Sequence, residues 1–481
     1  MAYQTVYGDV MLIPGTSAAV ALVFTGDNLG PPSIESVHQT YATLRQQFPN
    51  ARFIGSSLDA AARLLIEAHA ELPVITAEIG DTWIQGVGTD PTKVSQYREL
   101  LRLRREWLRA ASIDDSTLEN LHRGLLMIPE HTWGMDLKTH LQDYEHYETE
   151  VLVEARKLPN FETFERSWDE QRAYIDDALA ALANTPLNSE AQQRLKSIKP
   201  RKPDLTDYTL TSEHHFENPR WLIDIDPATG ALAGLEDRRT GTVLADTDHP
   251  LGLLTYETFS AGDFDRYWHQ YIRDREFGGV RVWAHPDNTK PGLQVVDHQS
   301  WLPSLQAIYQ HADSDSLQLL VQASLPAASQ EIGAPALLYF EYTLTEDDLE
   351  MTLRWFDKPA CRLPEAYWLK FNPRLPDEGQ WFVHKLGQAI DPCDVVSRGA
   401  RTLHSFDTGV SYRSAKLQLE LDSLDAALVA PGRPSLLDFH NQLPDMAGGM
   451  HFNLYNNVWG TNFPMWFEDD ALFRFRLRVN G

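Results

Sequence analysis

The chain has 481 residues, 43% of them hydrophobic and 10% aromatic, and a net charge of −26. That length fits about three domains of roughly 150 residues, and the apolar share excludes a mainly disordered chain. The acidic balance excludes nucleic acid and anionic membrane surfaces as partners, since both need a basic face. It suits a neutral ligand. Two cysteines, Cys361 and Cys393, make no disulfide framework or metal site, and reduced core thiols are expected. No run is long enough to span a membrane, and the first fifteen residues lack a basic, then apolar, leader pattern. The expected location is cytoplasmic.

Three textures follow in order. In residues 1–92, Val20-Ala-Leu-Val-Phe24 is a strand pattern, and Ser33 caps a helix reaching about Gln47. Ala51–Ile54 is strand-like, Leu58–Ala70 helical and Leu72–Ala77 strand-like. This alternation predicts a partial α/β, catalytic-type domain, a remnant of a (β/α)-barrel with a parallel sheet. Residues 93–203 predict a helical bundle. Val94, Tyr97, Leu101, Trp107 and Leu108 share one surface, and two long helices follow over Lys138–Leu158 and Phe161–Ala183. The proline-bearing stretch Lys199–Asp204 reads as a linker. Residues 204–481 alternate apolar and polar side chains, as in Trp221–Asp226, with turns such as Pro227-Ala-Thr-Gly230. They predict a large antiparallel β-sandwich.

Candidate chemistry is spread over several segments. Asp27-Asn28 follows a strand, where α/β domains place ligand loops, although the same pair also serves turn geometry. Glu78, Asp81 and Trp83 combine paired carboxyls with an indole, which suits sugar chemistry. The carboxyls also suit a helix start. His131, beside Glu130 and near Trp133, is a metal or hydroxyl ligand or a structural histidine. Around Asn457 and Trp459, amides and indoles form either a hydroxyl-reading, sugar-stacking face or a buried strand pair.

The order of Thr25-Gly26-Asp27-Asn28, Phe53-Ile-Gly-Ser-Ser-Leu58-Asp59, Leu72-Pro73-Val-Ile and Leu125-Leu-Met-Ile-Pro-Glu130-His131 resembles glycoside hydrolase family 38, the class II α-mannosidases. The family's G-D-D-F, F-G-T-L-x-E-Y-F and H-H-D segments run in the same order. Leu235-Glu-Asp-Arg-Arg-Thr-Gly241 is similar to a hairpin of the family's C-terminal sandwich. Glu78–Ile84, Glu130–Gly134 and Asn457–Pro464 look closer still to a group related to these mannosidases.

The resemblance implies a glycoside-hydrolase-like protein acting on α-linked sugars. It implies Asp27 and Asp81 as catalytic carboxyls. Asn28, Glu78, Trp83, Trp133, Asn457 and Trp459 would contact the sugar. It implies zinc in a complete family member, with His131 at the position of one ligand. Glu130 and Thr132 stand where that motif has its first histidine and its aspartate. The other three ligands belong to strands before the Asp27 segment, and the residues preceding Asp27 contain no histidine. The chain is therefore expected to be N-terminally shortened and to hold no zinc by itself. A parallel sheet lacking its first strands also leaves an unpaired edge that needs another chain or a missing segment to cover it, and a homo-oligomer is one such arrangement. The alternative function is a non-catalytic carbohydrate-binding or scaffold protein.

Overall fold

The computed structural model describes every residue except 1–3, 6–7, 24–29, 81–82, 274–275, 278–279, 282, 295–296, 312–315, 377 and 481. The chain divides into two units, Met1–Thr76 and Ala77–Gly481.

In the first unit, Ser33 and Ser57 each begin a helix, Ile34–Gln47 and Leu58–Glu67. Each hydroxyl accepts an N–H three residues on, at 3.1 and 3.3 Å, satisfying a donor that the first turn would leave open. The strands are Gln4–Thr5, Gly8–Leu12 and Ala19–Ala21, paired antiparallel. The expected strands at 51–54 and 72–77 are not paired as strands within this unit. Ile54, Val74 and Ile75 are exposed. Among the described residues no parallel strand lies beside them, so these extended segments have no ladder to join.

The second unit combines helices with a sandwich. Asp90 caps the helix Pro91–Arg109, with Pro91 in its first turn where no N–H is needed. Its buried apolar residues are Val94, Leu100, Leu103 and Trp107, while Leu108 faces solvent. Leu100, Leu103 and Trp107 pack with Leu121 and Leu125 of the helix Asp115–Met127 and Ile175 of Tyr174–Ala180. The first expected long helix is replaced by a π-turn at Leu137–Leu141 and a short helix Thr149–Ala155. Gln142 ends the π-turn at φ 52°, a left-handed conformation that stops propagation. The second becomes Pro159–Arg172 and Tyr174–Ala180, and a further helix occupies Leu187–Ser197.

Two antiparallel sheets, each of ten strands among the described residues, face one another. In the first, Glu365–Phe371 lies between Leu251–Thr258 and Met450–Asn456. In the second, Asp469–Asn480 lies between Asp348–Lys358 and Gln418–Ser423. The period-2 rule sorts the strand Glu365–Phe371. Tyr367, Leu369 and Phe371 enter the core shared by both sheets. Ala366 and Trp368 join a second core with Val94, Trp133, Phe264, Tyr267 and Trp459. This second core packs part of the helical layer against the sheet's other face. The architecture is thus a mixed α/β and helical chain with a large antiparallel sandwich. Both cysteines are free, and Cys361 is buried. No helix among the described residues is long and apolar enough to cross a membrane.

Candidate functional site

The site begins with the 3₁₀ segment Trp83–Thr89. Its backbone presses onto the sandwich where Gly86 meets Phe463 and Gly88 meets Asn453 and Asn456. A Cβ at either glycine would overlap those side chains. Asn456 Nδ2 donates to the Gln85 carbonyl at 2.9 Å, and Gln85 Nε2 donates to the Leu436 carbonyl at 3.3 Å. So held, the segment turns Trp83 outward, 44% exposed.

Trp83 is the exposed member of an aromatic cluster. Its indole N–H donates to the Tyr271 hydroxyl at 3.3 Å. Its ring lies 5.7 Å from Trp459 and 6.4 Å from His131. Tyr267 stacks on Tyr271 at 5.5 Å and meets Trp459 edge-on at 6.5 Å, and Phe439 lies 5.3 Å from Tyr271. Both tyrosines project from the helix Ala261–Tyr271, whose start is fixed by a reciprocal Ser260–Asp263 capping box. Residues four apart share one helix face, which brings them together.

The other expected site residues take different places. His131 is exposed, and its Nδ1 pairs with Glu130 Oε1 at 2.6 Å. Trp133 is buried, 5.5 Å from Phe463. Trp459 is also buried and supports Trp83 from beneath. Asn457 is fully buried. Its Nδ2 donates to the carbonyls of Cys361, Leu363 and Met465, and its Oδ1 accepts the Glu365 N–H at 2.7 Å. Glu78 is half-buried, 3.4 Å from Lys385 Nζ, and its backbone bridges to Val395. Asp27, Asn28 and Asp81 lie outside the described residues. The structure thus brings Trp83, His131 and Trp459 together, with Trp133 in the adjoining core.

Among the described residues no group of three His, Cys, Asp or Glu side chains could hold a metal ion. His131, with its Nδ1 engaged by Glu130, therefore has no ligand set around it. The described residues do not fit zinc, which needs three or four donors.

Sequence reasoning passed over Tyr267, Tyr271 and Phe439, although the spacing of the two tyrosines after Ser260-x-x-Asp263 was a usable signal. It also passed over a polar cluster on the strand Leu251–Thr258. There Glu257 accepts the Trp368 indole N–H at 2.8 Å and lies 3.4 Å from His298, which also meets Asp263. Burial pushes the Glu257 carboxyl up. Nothing in its local sequence distinguishes that glutamate from a surface one.

Residues 87–352 match a family profile described as a domain of unknown function, DUF5054. The match takes in more than half of the chain, which belongs to that family. No curated protein matches the chain. Among solved structures, an α-mannosidase from Enterococcus faecalis V583 is similar, with TM-score 0.48 and 10% identity, over 94% of this chain and 62% of that one. A glycosyl hydrolase family 38 protein from Enterococcus faecalis gives 0.47 and 11%, over 94% and 63%. The chain therefore spans less than two thirds of the length of either. A galactose mutarotase-like protein from Clostridium acetobutylicum gives 0.32 and 11%, over 57% of this chain and 98% of that one.

Proposed function

We propose that this chain binds neutral carbohydrate through the face formed by Trp83 and Tyr271, with His131 and Glu130 at its edge. One observation carries this reading. A large indole stands exposed, yet is fixed by a hydrogen bond to Tyr271 and by the packed ring of Trp459. A pre-set aromatic plane loses little freedom on binding. It offers an apolar surface to sugar C–H groups, while neighbouring polar atoms accept and donate to hydroxyls. A net negative charge favours a ligand without charge of its own.

Calorimetric titration of the whole chain with α-mannobiose and other neutral disaccharides tests the reading. Trp83→Ala is expected to weaken binding about five- to tenfold, and Asp27→Ala to leave it unchanged. Absence of heat with every sugar refutes it. The finer reading is hydrolysis of α-linked mannosides, with Asp27 as acid/base and Asp81 as the second carboxyl. Release of nitrophenol from an aryl α-mannoside, lost in Asp27→Ala, would replace binding by hydrolysis.

A further inference from the structure

A cavity of about 250 Å³ lies beside Trp133, and its walls are mainly apolar, among them Val94, Ile128 and Phe406. Two lysines, Lys93 and Lys385, also line it. Lys385 is engaged with Glu78 and with His404 Nδ1 at 3.3 Å. Two other charged groups on the wall are likewise committed. Arg98 donates to the carbonyls of Phe406, Ser423 and Leu424, and Asp407 pairs with Arg105.

Lys93 differs from all of these. It is 2% exposed, and its Nζ has no hydrogen-bond partner among the described residues. Its close neighbour is the Trp133 ring, with Nζ 4.0 Å from the centroid. The nearest carboxylate in sequence, Asp90, is already used. One oxygen caps the helix and the other meets Arg172 at 2.6 Å. An ammonium carries three donors and no acceptor, and leaving them unanswered in an apolar enclosure is costly. Burial brings this amine down to about 8. What Lys93 lacks is an uncommitted acceptor with negative charge, since Asp407 on the wall is paired with Arg105, and what the walls offer is apolar contact. Its volume lies below the roughly 300–1,000 Å³ of common ligand sites, so the occupant is compact.

We propose that this cavity binds a small carboxylate with an apolar body, its head group accepting from Lys93 Nζ once a rotation of that side chain turns the amine, closed to solvent in the unliganded fold, into the cavity, and its body resting against Ile128, Trp133 and Phe406. The site is separate from the sugar-binding face and does not depend on that reading.

The test uses benzoate, with benzamide as the uncharged analogue of the same shape. By calorimetry, benzoate is expected to bind with a Kd of about 1 mM or tighter, and benzamide at least about tenfold more weakly. Lys93→Met should reduce benzoate affinity to the level of benzamide. A second measurement needs only the unmodified chain: reductive methylation with formaldehyde and cyanoborohydride, followed residue by residue by mass spectrometry. Benzoate should slow modification of Lys93 and leave surface lysines unchanged. No benzoate binding, equal binding by the Met variant, or unprotected methylation of Lys93 would overturn the proposal.

Discussion

Replacing Lys93 by methionine should make the folded chain more stable at neutral pH. The ordinary amine value of 10.5 falls to about 8 in the folded state, chiefly through burial. At about 1.4 kcal/mol per pH unit, that gap sets about 3 kcal/mol against folding wherever both states would carry the charge. The sign follows from proton counting. Between about pH 8 and 10.5 the unfolded chain binds more protons than the folded one, so wild-type stability rises with pH across that window. Below about pH 8 the penalty is complete. Methionine retains an unbranched apolar chain and removes the charge, but it forgoes the contact with Trp133, worth about 1 kcal/mol. The net expectation is a gain of about 2 kcal/mol at pH 7 that shrinks towards zero by pH 10. Urea unfolding of both proteins at the two pH values reads this as a difference in midpoint at constant slope. A loss of stability at pH 7, or a gain that ignores pH, would refute the reasoning. The first result would mean that the ammonium is satisfied, the second that its charge is not what costs stability.

Glu99 gives the opposite pH dependence. Its carboxyl is buried among Arg102 at 2.5 Å, Arg194 at 2.7 Å and Arg474 at 3.0 Å. Burial opposes its charge, but the guanidiniums of Arg102 and Arg474 outweigh burial and hold the carboxyl at about 2. Stability from this group is present above about pH 4.5 and lost as the pH falls towards 2. Glu99→Gln should cost about 3 kcal/mol at pH 7 and progressively less at pH 4 and 3, measured by urea midpoints. Asn457→Leu should cost about 2–4 kcal/mol, because three buried carbonyls lose their donor and the Glu365 N–H its acceptor. Thermal unfolding checks this, with sugar titration on the folded variant showing whether the Trp83 face survives.

Local rules made the helix starts legible. Ser33 announces its helix by capping chemistry, and the alternation in Trp221–Asp226 announces a strand with one buried face and one partly exposed face. Rules of that kind do not say whether a neighbour exists. Ala51–Ile54 and Leu72–Ala77 carry strand composition, yet strand pairing is a property of two segments, and among the described residues neither pairs with a strand. The long helix expected from Lys138 fails at Gln142, whose left-handed backbone no periodicity reveals. At the site, aromatic content pointed to Trp83 and Trp459 alike. Which one is exposed depends on Gly86 and Gly88 bringing a distant segment against Phe463 and Asn456. Lys93 gave no signal because an amine becomes unusual only through what surrounds it.

The anchoring of Trp83 also sets an order of events during synthesis. The segment that carries it is fixed by Asn456, Leu436 and Phe463, and these residues emerge from the ribosome long after Trp83. The strand Asp469–Asn480, central in its sheet, emerges later still. Until then the indole has been made but not placed, and pairings so distant in sequence form slowly. A nascent or C-terminally clipped chain would contain every aromatic residue of the face and present none of them in register. On the proposed reading, sugar binding should appear only after the strands Met450–Asn456 and Asp469–Asn480 have been released.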